Sequence, residues 1–288
     1  MDLVDHVSGK VTPKFSVIMP VYNTERYVEA AVQSILNQSE DSLELLIIDD
    51  GSDDNSLAVC QKLAQGDPRV RITSQSNAGQ GAARNLGLDN ASGQFIVFVD
   101  SDDTIEPDTL EATLSLIGDA DLLSFAFDFV DEYGNTRRPV PPFSTSVLSG
   151  PAIFHAALLD IDIFTVPWNK VYRRDAIARH GVRFPPLKTW EDTFFSREMA
   201  RVSRKAVFDQ TVRYHALMRR GSTSRSISPQ KFDDAIMLFA LEDRAFASEL
   251  TDPDVRRRFE AHKIKFMMQL LVLAALRTTS DDEYNRCY

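Results

Sequence analysis

Acidic side chains crowd two short stretches of this chain, Asp49-Asp50-Gly51-Ser52 and Asp100-Ser101-Asp102-Asp103, and a further pair, Glu191-Asp192, follows much later. Carboxylates at close range raise one another's pKa, so a cluster of them calls for a cation or for hydrogen-bond donors. A divalent metal is the economical answer. Asp100 and Asp102 can present oxygens to one hard ion, and Mg2+ or Mn2+ takes few protein carboxylates while the phosphates of a ligand complete its shell. An Asp-x-Asp triplet is by itself a common turn, so its weight comes from what surrounds it.

Two further segments supply complementary chemistry. Pro20-Val21-Tyr22-Asn23 sets an aromatic face after an apolar run, and Asn77-Ala78-Gly79-Gln80-Gly81-Ala82-Ala83-Arg84-Asn85 places an arginine beyond a glycine-permitted turn. An arginine one turn into a helix suits a phosphate or a base. A solvent-facing arginine after an ordinary turn reads equally well from these residues alone. The two glycines resemble a dinucleotide fingerprint, but Arg84 stands at the third glycine position and the segment does not follow the first strand, which disfavours nicotinamide binding.

Short, β-rich apolar runs at residues 15–21, 43–48, 70–73 and 95–99 predict strands buried on both faces. Between them, residues 25–38, 56–64 and 82–88 carry apolar side chains at helical spacing, as Val28, Ala31, Val32 and Ile35 show. Alternation of this size implies βαβ units and a largely parallel sheet. Ligands of open sheets bind at the carboxyl ends of the strands. Three of these ends deliver Tyr22 and the five aspartates 49, 50, 100, 102 and 103 to one edge.

At 288 residues and 43% hydrophobic content the chain can bury a sizeable core. Cys60 and Cys287 lie far apart with no partner spacing, so neither a disulfide framework nor a zinc cluster is implied, which fits a reducing, cytoplasmic setting. The first ten residues hold two aspartates and no apolar run, unlike a secretory signal, and residues 266–276 fall short of the roughly 20 that a membrane span needs. Residues 1–136 carry 24 acidic and 7 basic side chains, the remainder 18 and 25. An acidic front half suits a cation, and scattered arginines behind it suit a small anionic ligand such as a diphosphate rather than nucleic acid.

The ordered set VIMPVYN (17–23), IIDDGSDD (47–54), NAGQGAARNLGL (77–88), FVDSDD (98–103) and WED (190–192) resembles the family 2 glycosyltransferases. The likeness covers roughly residues 14–225. It implies a GT-A, Rossmann-like α/β fold, a mixed and mostly parallel sheet flanked by helices. The nucleotide-binding half would span about 14–130 and the acceptor half about 131–225, within a domain of 1–225. It further implies transfer of a sugar from a nucleotide donor, UDP-linked, to a hydroxyl of a glycan or lipid-linked glycan, with inversion. Pro20, Val21, Tyr22, Asn23, Glu25, Asp50, Asn77, Gly79, Arg84, Asp100 and Ser101 would hold the nucleotide, with Asp50 on the base. Asp102 would be the chief ligand of Mn2+ or Mg2+ beside Asp100, and Asp103 either supports it or touches the sugar.

Inversion needs a carboxylate to take the acceptor's proton opposite the leaving group. The resemblance puts that role on Asp192, with Glu191 competing. From residue type alone both also read as acids at a helix start. Trp168, Asn169, Lys170 and Trp190 resemble segments bordering donor or acceptor, although a buried tryptophan packing the sheet is an equal reading of Trp168. Arg219, Arg220, Gly221, Ser222 and Ser224 resemble a late segment that closes over the diphosphate. His215 reads as a packed histidine rather than a ligand.

Residues 226–288 form an expected helical extension, with apolar spacing over 231–250 and 255–276 and basic residues at 256–258, 263 and 265. A helical pair packed on the main domain is the first reading, and a surface docked on the inner face of an anionic membrane the second. The ending at Tyr288, without a capping signal, also suits the front part of a longer protein. Rival classes are a receiver-like phosphotransfer domain, a nucleotidyltransferase on a related sheet, and a non-catalytic carbohydrate-binding module.

Overall fold

Seven consecutive apolar or small residues, FSVIMPV, form β1 (Phe15–Val21) and are buried throughout. Their side chains alternate between the two faces of the sheet. Phe15, Val17, Met19 and Val21 join one core layer with Val28, Ala31, Val32 and Ile35 of α1 (Val28–Leu36), while Ile18 enters a second layer on the other side. The structure is a computed structural model that describes residues 12–139, 142–219 and 228–277.

The first half follows the expected βαβ alternation. β2 (Leu43–Asp49), α2 (Ser56–Gly66), β3 (Val70–Ser74), α3 (Gln80–Asn90) and β4 (Phe95–Phe98) come in order. β1 runs parallel to both β2 and β4, and β2 runs parallel to β3. Helix α1 begins three residues later than its apolar spacing suggests. Residues 24–27 form a turn whose backbone is held from outside, Thr24 N donating to Ser56 Oγ (2.8 Å) and Glu25 N to Asp54 Oδ2 (3.1 Å).

Beyond β4 the chain adds β5 (Thr104–Ile105), α4 (Thr109–Leu116), β6 (Leu122–Val130), β7 (Thr136–Pro139), β8 (Val147–Ser149) and α5 (Pro151–Leu158). After these come β9 (Lys170–Arg173), α6 (Arg174–His180), α7 (Glu191–Val202) and β10 (Lys205–Leu217). The main path of the sheet runs β3-β2-β1-β4-β9-β6-β10-β5. Antiparallel β9 lies between β4 and β6, so the two expected halves share one sheet. β10 runs parallel to β6 from Ala206 to Leu217, with register shifts near its middle, and on its other edge pairs antiparallel with β5 through Tyr214 and His215.

Helices α8 (Pro229–Ala245) and α9 (Pro253–Arg277), joined through a short 3-10 turn at Glu249–Thr251, make up the described part of the C-terminal extension. They pack on α5 and α7: Phe246, Leu250, Val255 and Phe259 bury against Phe154 and Leu158. The opposite face of α9 is also apolar and faces outward, with Ile264, Met268, Leu271 and Val272 all more than half exposed. Among the described residues no helix is long and apolar enough to cross a membrane.

Candidate active site

A cavity of about 620 Å³ opens at the carboxyl ends of β1, β2 and β4, between α3, the start of α7 and the end of β10. Of the expected residues, Pro20, Val21, Tyr22, Asp50, Asn77, Gly79, Arg84, Asp100, Ser101, Asp102, Asp103, Trp168, Asp192 and Arg219 line it. Tyr22, 43% exposed, presents its ring there.

Asp50 does two jobs at once. Its Oδ1 accepts from Gln75 Nε2 (2.7 Å) and Ala78 N (2.8 Å), and its Oδ2 accepts from Gly79 N (2.9 Å). The carboxylate thus fixes the loop before α3 and keeps acceptor capacity on Oδ2 for one more donor. Gly79 has φ +94°, a conformation closed to most side chains. Gly81, two residues on, lies so near α7 that a Cβ would come 2.9 Å from Glu191 Cγ.

That closeness brings Arg84 against α7. Its guanidinium is 2% exposed and pairs with Asp100 (2.8 Å) and Glu191 (3.1 Å). Burial opposes its charge, but Asp100 and Glu191 outweigh burial and hold it protonated. Arg84 Nε finds no partner. Burial, and then neighbouring Asp192, push Glu191 up to about 7, with Arg84 opposing. Asp192 faces the cavity instead, its Oδ1 accepting from Thr193 N (2.7 Å). Its pKa too is raised, chiefly by burial. The adjacent carboxylates therefore differ in surroundings: one is engaged by an arginine, the other lines the cavity.

The acidic loop after β4 is held by β10, which the sequence did not point to. Tyr214 Oη donates to Asp103 Oδ2 (2.6 Å) and accepts from Asp100 N (3.2 Å), while Leu217 N donates to Asp103 Oδ1 (2.7 Å). Burial, with Asp102 and Asp100 beside it, raises the Asp103 carboxyl well above the usual range. Asp102 is raised by burial and by Asp100, and Arg219 Nε donates to its Oδ2 (2.5 Å). Trp168 is buried and stacks on Tyr214 (4.5 Å between ring centroids), and it also lines the cavity.

Several expected contacts lie elsewhere. Asn23 and Glu25 staple β1's exit to the loop after β2: Asn23 Oδ1 accepts from Asp53 N (2.8 Å), and Glu25 Oε2 accepts from Asn55 N (3.0 Å). Asn169 and Lys170 are buried among backbone carbonyls rather than at the cavity wall. Lys170 Nζ donates to Phe164 O and Val166 O, each at 2.6 Å, and burial lowers its pKa to about 7. Trp190 points to α8 and α9, not the cavity, with its ring edge on Phe266. His215 sits between Asp128 (2.6 Å) and Glu106 (2.8 Å); burial disfavours its charge, but these carboxylates raise its pKa overall. Ser222, with Arg220, Gly221 and Ser224, lies outside the described residues.

Residues 16–181 match the sequence profile of glycosyl transferase family 2. The chain belongs to this family. It is 33% identical over 233 residues to EpsH of Bacillus subtilis (strain 168), over 79% of this chain and 67% of EpsH. It is 29% identical over 267 residues to the poly(ribitol-phosphate) beta-N-acetylglucosaminyltransferase TarS of Staphylococcus aureus (strain MW2), spanning 90% of this chain but 44% of TarS. The crystal structure of TarS 1-349 with UDP-GlcNAc superposes with a TM-score of 0.72 at 27% identity, over 88% of this chain and 73% of that one. A mannosyltransferase from Pyrobaculum calidifontis, solved with GDP-Man and Mn2+, shares the fold at 18% identity and a TM-score of 0.61, over 94% of this chain and 77% of that one. The mixed, mostly parallel sheet with its flanking helices is a GT-A fold, and the chain is a transferase that uses nucleotide sugars.

Asp100, Ser101 and Asp102 offer hard oxygen donors, and Asp102 stays raised by burial and by the Asp100 charge even with Arg219 paired to it. These residues fit a divalent cation. Among the described residues no trio of His, Cys, Asp or Glu converges as a self-sufficient cage. An ion here would therefore rest on one or two carboxylates, with donor phosphates completing the shell.

Proposed function

We propose that this chain is a metal-dependent, inverting glycosyltransferase that moves a sugar from a uridine diphosphate donor to a hydroxyl of a glycan or lipid-linked glycan. The observation that carries this reading is Asp192, facing the same cavity as Tyr22, Asp50 and the acidic loop while Glu191 is taken up by Arg84. Tyr22 stacks on the base, and Asp50 Oδ2 accepts its ring N–H. Asp102 and Asp100 would hold Mn2+ or Mg2+, which when bound supplies the charge neutralisation a departing diphosphate needs. Arg219, freed from Asp102 by the ion, would turn to the phosphates. Asp192 takes the proton of the acceptor hydroxyl as its oxygen bonds the sugar carbon, the carbon–oxygen bond to the diphosphate breaks on the opposite face, and the proton stays on Asp192.

The test is release of UDP from UDP-GlcNAc and other UDP-sugars in the presence of Mn2+, set against GDP-sugars. Release from GDP-sugars alone would overturn the uridine assignment, and transfer of the nucleotide itself would favour a nucleotidyltransferase. The outward apolar face of α9, next to Arg256, Arg257, Arg258 and Lys265, supports contact with the cytoplasmic face of a membrane. Flotation with phosphatidylglycerol vesicles, abolished by Leu271→Glu, is the expected result; equal flotation with neutral vesicles would argue against it.

A further inference from the structure

Trp190, immediately before the α7 carboxylates, has a left-handed backbone, φ +69°. Such a conformation is unfavourable for an aromatic residue and persists only where its surroundings over-determine it. No side chain caps the N-terminus of α7. The restraints come from the C-terminal helices, which lie beyond the matched family region. Thr189 N and Thr189 Oγ1 both donate to Asp234 Oδ2 of α8, each at 3.0 Å, and Trp190 Nε1 donates to the Lys231 carbonyl (3.3 Å). Asp234 is 3% exposed, and Gln230 Nε2 donates to its other oxygen (2.9 Å).

A second anchor grips the same helix further along. Arg197 of α7 is 1% exposed and donates to Glu242 of α8 (2.8 Å) and to His262 of α9 (2.6 Å). Burial and the Arg197 charge hold His262 neutral, as an acceptor from that guanidinium. Between them the two anchors set the direction of the first turn of α7 and the position of its axis. A small rotation at Trp190 would swing Glu191 and Asp192 together, moving one off Arg84 and the other off the cavity.

We propose that Asp234 is a positioning residue: from α8 it holds the left-handed Trp190 turn that aims Asp192 into the cavity. The C-terminal helices are then part of the catalytic unit. This rests on the role of Asp192 proposed above. A carboxylate is apt here because it only accepts, and both Thr189 groups only need an acceptor. Asparagine keeps one oxygen for them and alanine none.

The experiment compares Asp234→Ala, Asp234→Asn and Thr189→Val in the full chain, with UDP-GlcNAc and Mn2+. It reads kcat and KM for UDP release, UDP affinity, and amide hydrogen exchange of a peptide covering residues 186–195. Misplacement of a reacting group by about 1 Å costs on the order of 100-fold, so kcat should fall about 10- to 100-fold in Asp234→Ala, with KM and UDP affinity within about threefold. Exchange in the peptide should speed up, and Asp234→Asn should restore most of kcat. Thr189→Val, which leaves the backbone bond in place, should lose severalfold of kcat at unchanged KM and covers the case in which the alanine variant does not fold. Unchanged kcat in Asp234→Ala, or kcat and UDP affinity falling in step, would overturn the proposal. If the wild type releases no UDP from any donor, the transfer reading fails instead, and exchange decides alone: unaltered exchange in Asp234→Ala removes the positioning role.

Discussion

Replacing Arg84 with methionine takes away the cation that Asp100 and Glu191 share. Breaking a buried ion pair from one side costs about 3–5 kcal/mol, because the remaining charge is stranded. Two features place the expected loss near the lower end, about 3 kcal/mol. The Asp100 side chain keeps 18% exposure, so water relieves it, and the unpartnered Arg84 Nε is a cost that methionine removes. The loss should also depend on pH. Glu191 is pushed up to about 7 from an ordinary 4.5 even with Arg84 present, and without that cation it must rise further. A carboxyl whose folded pKa exceeds its unfolded value carries a proton the unfolded chain has released, so stability falls as pH rises through that interval. In Arg84→Met the interval reaches higher, so the destabilisation should be largest near about pH 8 and shrink toward about pH 5.5, where Glu191 is neutral. Urea unfolding at the two pH values measures it. Adding Glu191→Gln removes the stranded charge and should recover a good part of the loss at the higher pH. A loss that does not change with pH, or a double variant whose losses simply add, would refute this account of the triad.

Asp192→Asn should lower turnover about 10²- to 10⁴-fold with donor affinity within a few-fold, whereas Glu191→Gln should do less to turnover and more to stability; the reverse pattern in paired kinetic and binding measurements would exchange their roles. Asp102→Asn should weaken UDP binding in Mn2+ and erase the difference between titrations with and without metal; equal wild-type affinity under both conditions would remove the metal role. His262, held down to about 4 by burial and then by Arg197 and Lys265, is neutral in both states above pH 6.5. As pH falls from there toward 4 only the unfolded chain gains the proton, so the wild type should lose about 3 kcal/mol relative to His262→Gln over that range, followed by unfolding at successive pH values.

β1, β2 and β4 were legible because burial on both faces leaves an unbroken apolar run, whereas β3, at the edge of the sheet, buries only Val70 and is not the doubly covered strand expected there. The expected bounds of β1 coincide with the observed Phe15–Val21, and those of β2 fall one residue short of Asp49. Among the later strands β6 carries the same mark, with seven consecutive buried residues, but β5 and β10 do not. β10 reads KAVFDQTVRYHAL, mixed in polarity with register shifts near its middle, and β5 is two residues long. Their places depend on partners far along the chain. The site divides in the same way. Residues at the ends of β1, β2 and β4 were legible from the parallel sheet, because its geometry brings those ends together. Tyr214 and Leu217, which hold the acidic loop from β10, were not. Asn23, Glu25, Asn169 and Lys170 have the right residue types beside the site, but neighbouring backbone groups claim their polar atoms.

The hardest distinction was between two adjacent residues. Successive positions on a helix point about 100° apart, so Glu191 and Asp192 cannot share one role. Amphipathic patterning does not choose between them, because Phe195 and Met199 on the Glu191 row and Ser196 and Ala200 on the Asp192 row are all buried. What separates them comes from α3. Only a glycine at position 81 lets that helix approach until a Cβ would meet Glu191 Cγ, and at this distance Arg84 reaches Glu191 and leaves Asp192 to the cavity. A side chain at position 81 should therefore disturb turnover through Glu191 without touching either ligand. Gly81→Ala is the smallest such change: it should lower kcat while UDP affinity holds, and an unaffected kcat would mean that α7 is not placed by its contact with α3.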